Sequence, residues 1–156
     1  MPEAHYSKAY IDEIRSEMIE RLQKLEKKVT MPRTRLRTPE EVLKRLKQNY
    51  ESFSDKRTFT QLYDIPQKPG TYLIYKDSEV IYVGSSIHLR ARLRQLLSGG
   101  GHVFHNKLRE LFGSKEHVQS FLKTCCSLRY SLCKDKRQAE LLEHFCINIH
   151  SPRYND

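Results

Sequence analysis

The sequence predicts an α+β domain behind a helical N-terminal extension. Three observations carry this: helical apolar periodicity in the first third, two β-prone segments around a polar turn at 70–83, and an alternating segment at 124–133. The boundary falls near residue 56, which divides the chain into an extension over 1–56 and a domain over 57–156.

Each element has a local reason. Tyr6, Tyr10, Ile14, Met18, Leu22 and Leu25 recur every three or four residues, one apolar stripe on an amphipathic helix. Acid–base pairs four apart, Glu17–Arg21 and Glu20–Lys24, support it. Met31-Pro32-Arg33-Thr34-Arg35-Leu36-Arg37 reads as a basic linker. Thr38-Pro39-Glu40-Glu41 then opens a second helix, with a cap, a first-turn proline and acids near the positive dipole end. That helix is expected to run to about Tyr50 or Phe53.

Gly70–Tyr75 and Val80–Val83 are β-prone, and the polar turn Lys76-Asp77-Ser78-Glu79 joins them as a hairpin. Ser85 or Ser86 is expected to cap a helix that reaches about Leu97 and stops at Ser98-Gly99-Gly100-Gly101. Asn106–Phe112 reads as a further helix. Thr124–Cys133 alternates, with Cys126, Leu128, Tyr130 and Leu132 on one strand face. Asp135–Ile149 is the last helix, ended by Ser151-Pro152.

Bulk properties narrow the function class. A chain of 156 residues has room for one modest core. Its formal charge of +9 favours polyanionic partners. No run approaches the ~20 apolar residues of a membrane span, and the stretch from Glu3 to Lys28 is too charged for a signal peptide. Cys125, Cys126, Cys133 and Cys146 lack the paired spacing of zinc sites and read as reduced core thiols. A cytoplasmic, membrane-free protein with access to nucleic acid is the expectation.

Several side chains have the chemistry to act on a phosphodiester. On the helix after Tyr82-Val83-Gly84, Leu89, Leu93 and Leu96 form the apolar stripe, while Arg90 and Arg94 share one side of it. Residues 80–109 contain no acid, so these arginines, Lys107 and Arg109 form an uncompensated basic surface, either merely solvated or phosphate-binding. Arg92 borders the core-facing edge, where a guanidinium can clamp a phosphate bidentately. Glu140 lies among Lys136, Arg137 and His144, a solvated network; Glu143 lies on the apolar ridge Ala139–Glu143–Ile147. A carboxylate there is either a paired structural acid or a metal ligand.

The domain has no D-x-D pair for a two-metal site. If a metal acts, one Mg²⁺ or Mn²⁺ is expected, held by Glu143, phosphate oxygens and water. Tyr72 and Tyr82 either fill a strand face or assist the chemistry. His102 and His105 follow the glycine run and are expected on an exposed loop, with phosphate as the contact if they have one.

Gly70-Thr71-Tyr72, Tyr82-Val83-Gly84, Arg92, Glu143 and Pro152-Arg153-Tyr154-Asn155 occur in an order that resembles the GIY-YIG nuclease superfamily. The runs PGTYLIYKDSEVIYVGSSIHLRARLRQ and AELLEHFCINIHSPRYN are similar to the N-terminal nuclease domain of the bacterial excinuclease, over about residues 65 to 156. The resemblance implies a small three-stranded antiparallel sheet flanked by helices, cutting DNA with one divalent cation. It implies that the Tyr82 hydroxyl, or a water it activates, helps deprotonate the nucleophile, with Tyr72 as the second motif tyrosine. By the same resemblance Arg92 stabilises phosphate charge, Glu143 binds the metal and Asn155 holds the hydrogen-bond geometry. Arg90, Arg94, His102, His105 and Lys107 are the expected nucleic-acid contacts. Where many members carry a catalytic His or Tyr one turn after the arginine, this chain has Leu96. Tyr82 suffices, His102 or His105 reaches in, or the fold binds branched or nicked nucleic acid without efficient cleavage. The N-terminal helices and Arg33-Arg35-Arg37 would add DNA contacts or a homodimer interface.

Overall fold

The computed structural model describes residues 7–29 and 37–156. The chain forms two compact units, Met1–Pro39 and Glu40–Asp156. In the first, helix α1 spans Lys8–Val29. The expected pairs form, Glu17–Arg21 at 2.7 Å and Glu20–Lys24 at 2.9 Å, and Ile14, Met18 and Leu22 are exposed. Tyr6, Arg33, Arg35 and the side chain of Leu25 lie outside the described residues.

The division at Pro39/Glu40 places almost all of helix α2 (Pro39–Glu51) in the second unit. The cause is apolar packing. Leu46 and Tyr50 lie against a core cluster that contains Phe53, and the Tyr50 ring meets Phe145 edge-on at 5.8 Å. None of the described helices is long and apolar enough to cross a membrane.

The sheet has four strands, β1 (Arg57–Thr58), β2 (Gly70–Lys76), β3 (Glu79–Ser86) and β4 (Cys126–Leu132), in the antiparallel order β1-β4-β2-β3. The fourth strand corrects the expected three. β1 pairs only Arg57 with Leu128 and Thr58 with Ser127, too short a segment to show alternation in sequence. The β2–β3 hairpin forms as expected, with Asp77 in the left-handed region at φ 56°.

β2 is the central strand and is covered on both faces. Tyr72 and Ile74 face a core shared with helices α3 (Leu89–Ser98), α4 (Val103–Phe112) and α5 (Lys115–Cys125). Leu73 and Tyr75 face the other core, built with helix α6 (Lys136–His150). Double coverage also alters β4. Cys126, Leu128 and Tyr130 share the first core, but Leu132 is 41% exposed while Ser131 is buried, its hydroxyl bonded to Asn49 O and Ser52 Oγ at 3.0 Å each.

Two helix starts differ from expectation. Ser85 and Ser86 remain in β3, paired with Thr71 and Gly70, so α3 begins only at Leu89. α4 begins at Val103 because the His102 ring accepts the Phe104 N–H and caps it. α5 is an additional helix, absent from the expected elements; Ser114 caps it by accepting from the His117 N–H at 3.2 Å. Gly99 ends α3 in the left-handed region at φ 87°, a conformation glycine adopts without steric cost.

Leu93 is fully buried in the first core, whereas Leu111 is 63% exposed. Leu93→Ala is expected to lower unfolding free energy by about 2–5 kcal/mol and Leu111→Ala by less than about 0.5 kcal/mol, read from denaturant melts. Equal losses would mean the core is misassigned.

Candidate active site

The hairpin register fixes the first tyrosine. Tyr72 stands opposite Gly84, and a methyl group at Gly84 would overlap the Tyr72 hydroxyl and ring. The phenol therefore lies across β3 where only a glycine leaves room. Its hydroxyl meets His102 Nε2 at 2.8 Å, and both residues are buried. Tyr82 lies on the same sheet face, half-buried, its ring 6.3 Å from that of Tyr72. It stacks on Phe104 at 4.5 Å with 2° between the planes, and Phe104 in turn packs against Tyr154 at 5.4 Å.

The charged groups come from opposite sides of the sheet. Arg92, half-buried on α3, is steadied by Gln95, whose Oε1 accepts from Nη1 at 2.7 Å. Glu143, half-buried on α6, accepts a hydrogen bond from the Ser85 hydroxyl. Both charges act on both tyrosines. Burial raises the Tyr72 proton affinity, with Tyr82 and Glu143 adding to it and Arg92 opposing. Tyr82 is raised by burial, then by Glu143, with Arg92 again opposing. Burial, with help from Arg92, pushes the His102 imidazole down to about 3. Ser85, Ser86, His88, Ala91, Arg92 and Gln95 line a groove beside these groups.

Asn155 closes the free edge of β3. Its Oδ1 accepts from Val83 N–H and its Nδ2 donates to Val83 O, both at 2.8 Å. Tyr154 N–H adds a bond to Ile81 O at 3.1 Å. The 154–155 segment thus satisfies backbone groups of Ile81 and Val83 on an edge strand.

Tyr72, Tyr82, Arg92 and Glu143 converge, and Asn155 holds the strand that carries Tyr82. The expected exposure of two histidines does not hold. His102 and His105 are not exposed loop residues: both are buried, and His105 Nδ1 is bonded to Leu96 O at 2.7 Å. The early helix start after the glycines folds them inward. Lys107 is committed to the carbonyls of Tyr154, at 3.0 Å, and Asp156. Arg90 reaches Tyr63 O at 3.3 Å, and Arg94 is exposed. Ser85 and Gln95, which hold Glu143 and Arg92, have no signal of their own in sequence.

The donor set suits a single hard cation. Among the described residues no group of three metal-ligating side chains exists. Glu143 has one hydroxyl donor and no ion pair among them, whereas Glu140 pairs with Lys136 at 3.5 Å. One available carboxylate fits a divalent ion that keeps most of its water.

A family model, the UvrC-like GIY-YIG domain, matches residues 68–156. UvrABC system protein C of Finegoldia magna is 32% identical over 96 residues, covering 61% of this chain and 14% of that protein. The Clostridium novyi protein of the same name is 36% identical over 96 residues, with the same shares of 61% and 14%. The chain thus spans about 14% of the length of the curated relatives it matches. Among solved structures, the GIY-YIG N-terminal endonuclease domain of UvrC from Thermotoga maritima, bound to magnesium, is 23% identical. It covers 62% of this chain and 93% of its own, at a TM-score of 0.46.

His102 and His150 are both held neutral by burial. The unfolded imidazoles bind protons below about 6.5, so the unfolded chain gains protons first and stability falls as pH drops from about 6.5 towards about 3. The urea midpoint is expected to be lower at pH 5 than at pH 7, with a smaller difference in His102→Gln.

Proposed function

The chain belongs to the UvrC-like GIY-YIG domain family, and on that premise we propose that it is a DNA endonuclease using one divalent cation, Mg²⁺ or Mn²⁺. The observation that carries this reading is that Arg92 and Glu143, from two different helices, both bear electrostatically on the strand tyrosines Tyr72 and Tyr82, with Arg92 and the Ser85 that holds Glu143 lining one groove.

Glu143 would hold the cation, which when bound supplies Lewis-acid stabilisation of charge on the phosphate. The protein's own groups do the rest. Arg92, pre-set by Gln95, donates to the phosphate oxygens as negative charge grows there. A water attacks phosphorus and gives up one proton; the P–O bond opposite breaks, and the departing oxygen takes a proton from solvent. The raised proton affinity of Tyr82 keeps it a neutral phenol at pH 7. It therefore orients the attacking water by hydrogen bonding, and the proton leaves through a further water. Arg94, exposed on α3 beyond the groove, and Arg90 offer backbone contacts to DNA. Lys107, which also holds the 154–156 segment, is a further candidate contact.

Incubation with supercoiled plasmid in Mg²⁺ or Mn²⁺ tests the proposal. Nicking or linearisation is expected, with loss in EDTA and in Glu143→Ala, and a fall of roughly 10²–10³ in rate for Arg92→Ala. Binding is expected to weaken steeply with salt as phosphate contacts release counterions. DNA bound but uncut by the unaltered protein would favour a binding module. Cleavage by Glu143→Ala at the wild-type rate would sink the metal assignment.

A further inference from the structure

His102 does two things at once. Its Nδ1 accepts the Phe104 N–H at 3.1 Å, and its Nε2 lies 2.8 Å from the Tyr72 hydroxyl. A backbone N–H only donates, so Nδ1 carries the lone pair and the neutral ring has its proton on Nε2. That proton points at the Tyr72 oxygen. A phenol that accepts such a bond is a better donor of its own proton, because the charge left behind is stabilised.

α3 supplies no proton-bearing group one turn beyond Arg92, since Leu96 is aliphatic and fully buried. The only imidazole bonded to either site tyrosine among the described residues is that of His102. Burial and the nearby guanidinium keep the ring neutral across the working pH range, so its role is that of a fixed donor and not of an acid.

Resting on the nuclease reading above, we propose that His102 is a positioning residue for cleavage, its Nε2–H fixing the Tyr72 oxygen as an acceptor and leaving the tyrosine's own proton for the attacking water or the phosphate. Both the cap of α4 and the polarity of Tyr72 then depend on one side chain, and the two roles separate by length. Asparagine keeps a capping oxygen but falls short of Tyr72; glutamine extends an amide N–H towards it.

His102→Asn is expected to lower kcat for plasmid nicking roughly 10–100-fold, with KM for DNA and the melting temperature close to wild type. His102→Gln is expected to recover part of the loss. In a Tyr72→Phe background, which has no hydroxyl to polarise, His102→Asn is expected to cost nothing further. Imidazole ¹⁵N shifts should report a proton on Nε2 and none on Nδ1. A proton on Nδ1, an unchanged kcat in His102→Asn, or an undiminished loss in the Tyr72→Phe background would each overturn the role. Failure of the unaltered protein to cut would instead overturn the nuclease reading itself, and the role with it.

Discussion

Tyr72 can lie across strand β3 only because the residue opposite it is Gly84. That steric allowance sets much of the site. It buries the Tyr72 phenol where the hydroxyl meets His102, and burial then raises the tyrosine's proton affinity and keeps the imidazole neutral. It also leaves Tyr82, two residues before the glycine on the same face, as the half-buried tyrosine of the pair. One phenol is fixed by burial and by its bond to His102 and the other is left half-buried, a difference that arises from register and not from residue type.

The second requirement is that an edge strand hold its shape while carrying a functional side chain. β3 has a partner on one side only. The Asn155 carboxamide supplies the missing donor and acceptor to Val83, and the Lys107 ammonium fastens the segment that carries Asn155. The aromatic run Tyr82–Phe104–Tyr154, stacked at its first contact and tilted at its second, then ties β3, α4 and the 154–156 segment together. Position of the Tyr82 ring thus depends on a segment more than seventy residues later in the chain.

Much of this is legible in the sequence, because apolar periodicity and turn chemistry act locally. The hairpin, the strand at 126–132 and the helix from Lys136 all follow from such patterns. The solvated pairing of Glu140 follows from neighbours one turn away: it meets Lys136, whereas Glu143 meets Ser85. What sequence misses is tertiary. Alternation in β4 marks one buried face, yet α2 also covers part of the other and buries Ser131, while Leu132 at the strand end is left 41% exposed. His102 and His105 follow a glycine run and look like loop residues, but α4 starts immediately after His102 and turns both inward. No sequence period encodes a bond between residues 72 and 102.

The metal proposal rests on a single carboxylate on α6, Glu143, which is proposed to hold one divalent ion beside Ser85. Mn²⁺ titrated into ¹⁵N-labelled protein tests it without requiring turnover, since the paramagnetic ion broadens nearby amides. Early broadening is expected at Glu143, Ser85 and Arg92, saturating at about one ion per chain, and it is expected to disappear in Glu143→Gln. Broadening centred elsewhere, or unchanged in Glu143→Gln, would contradict it.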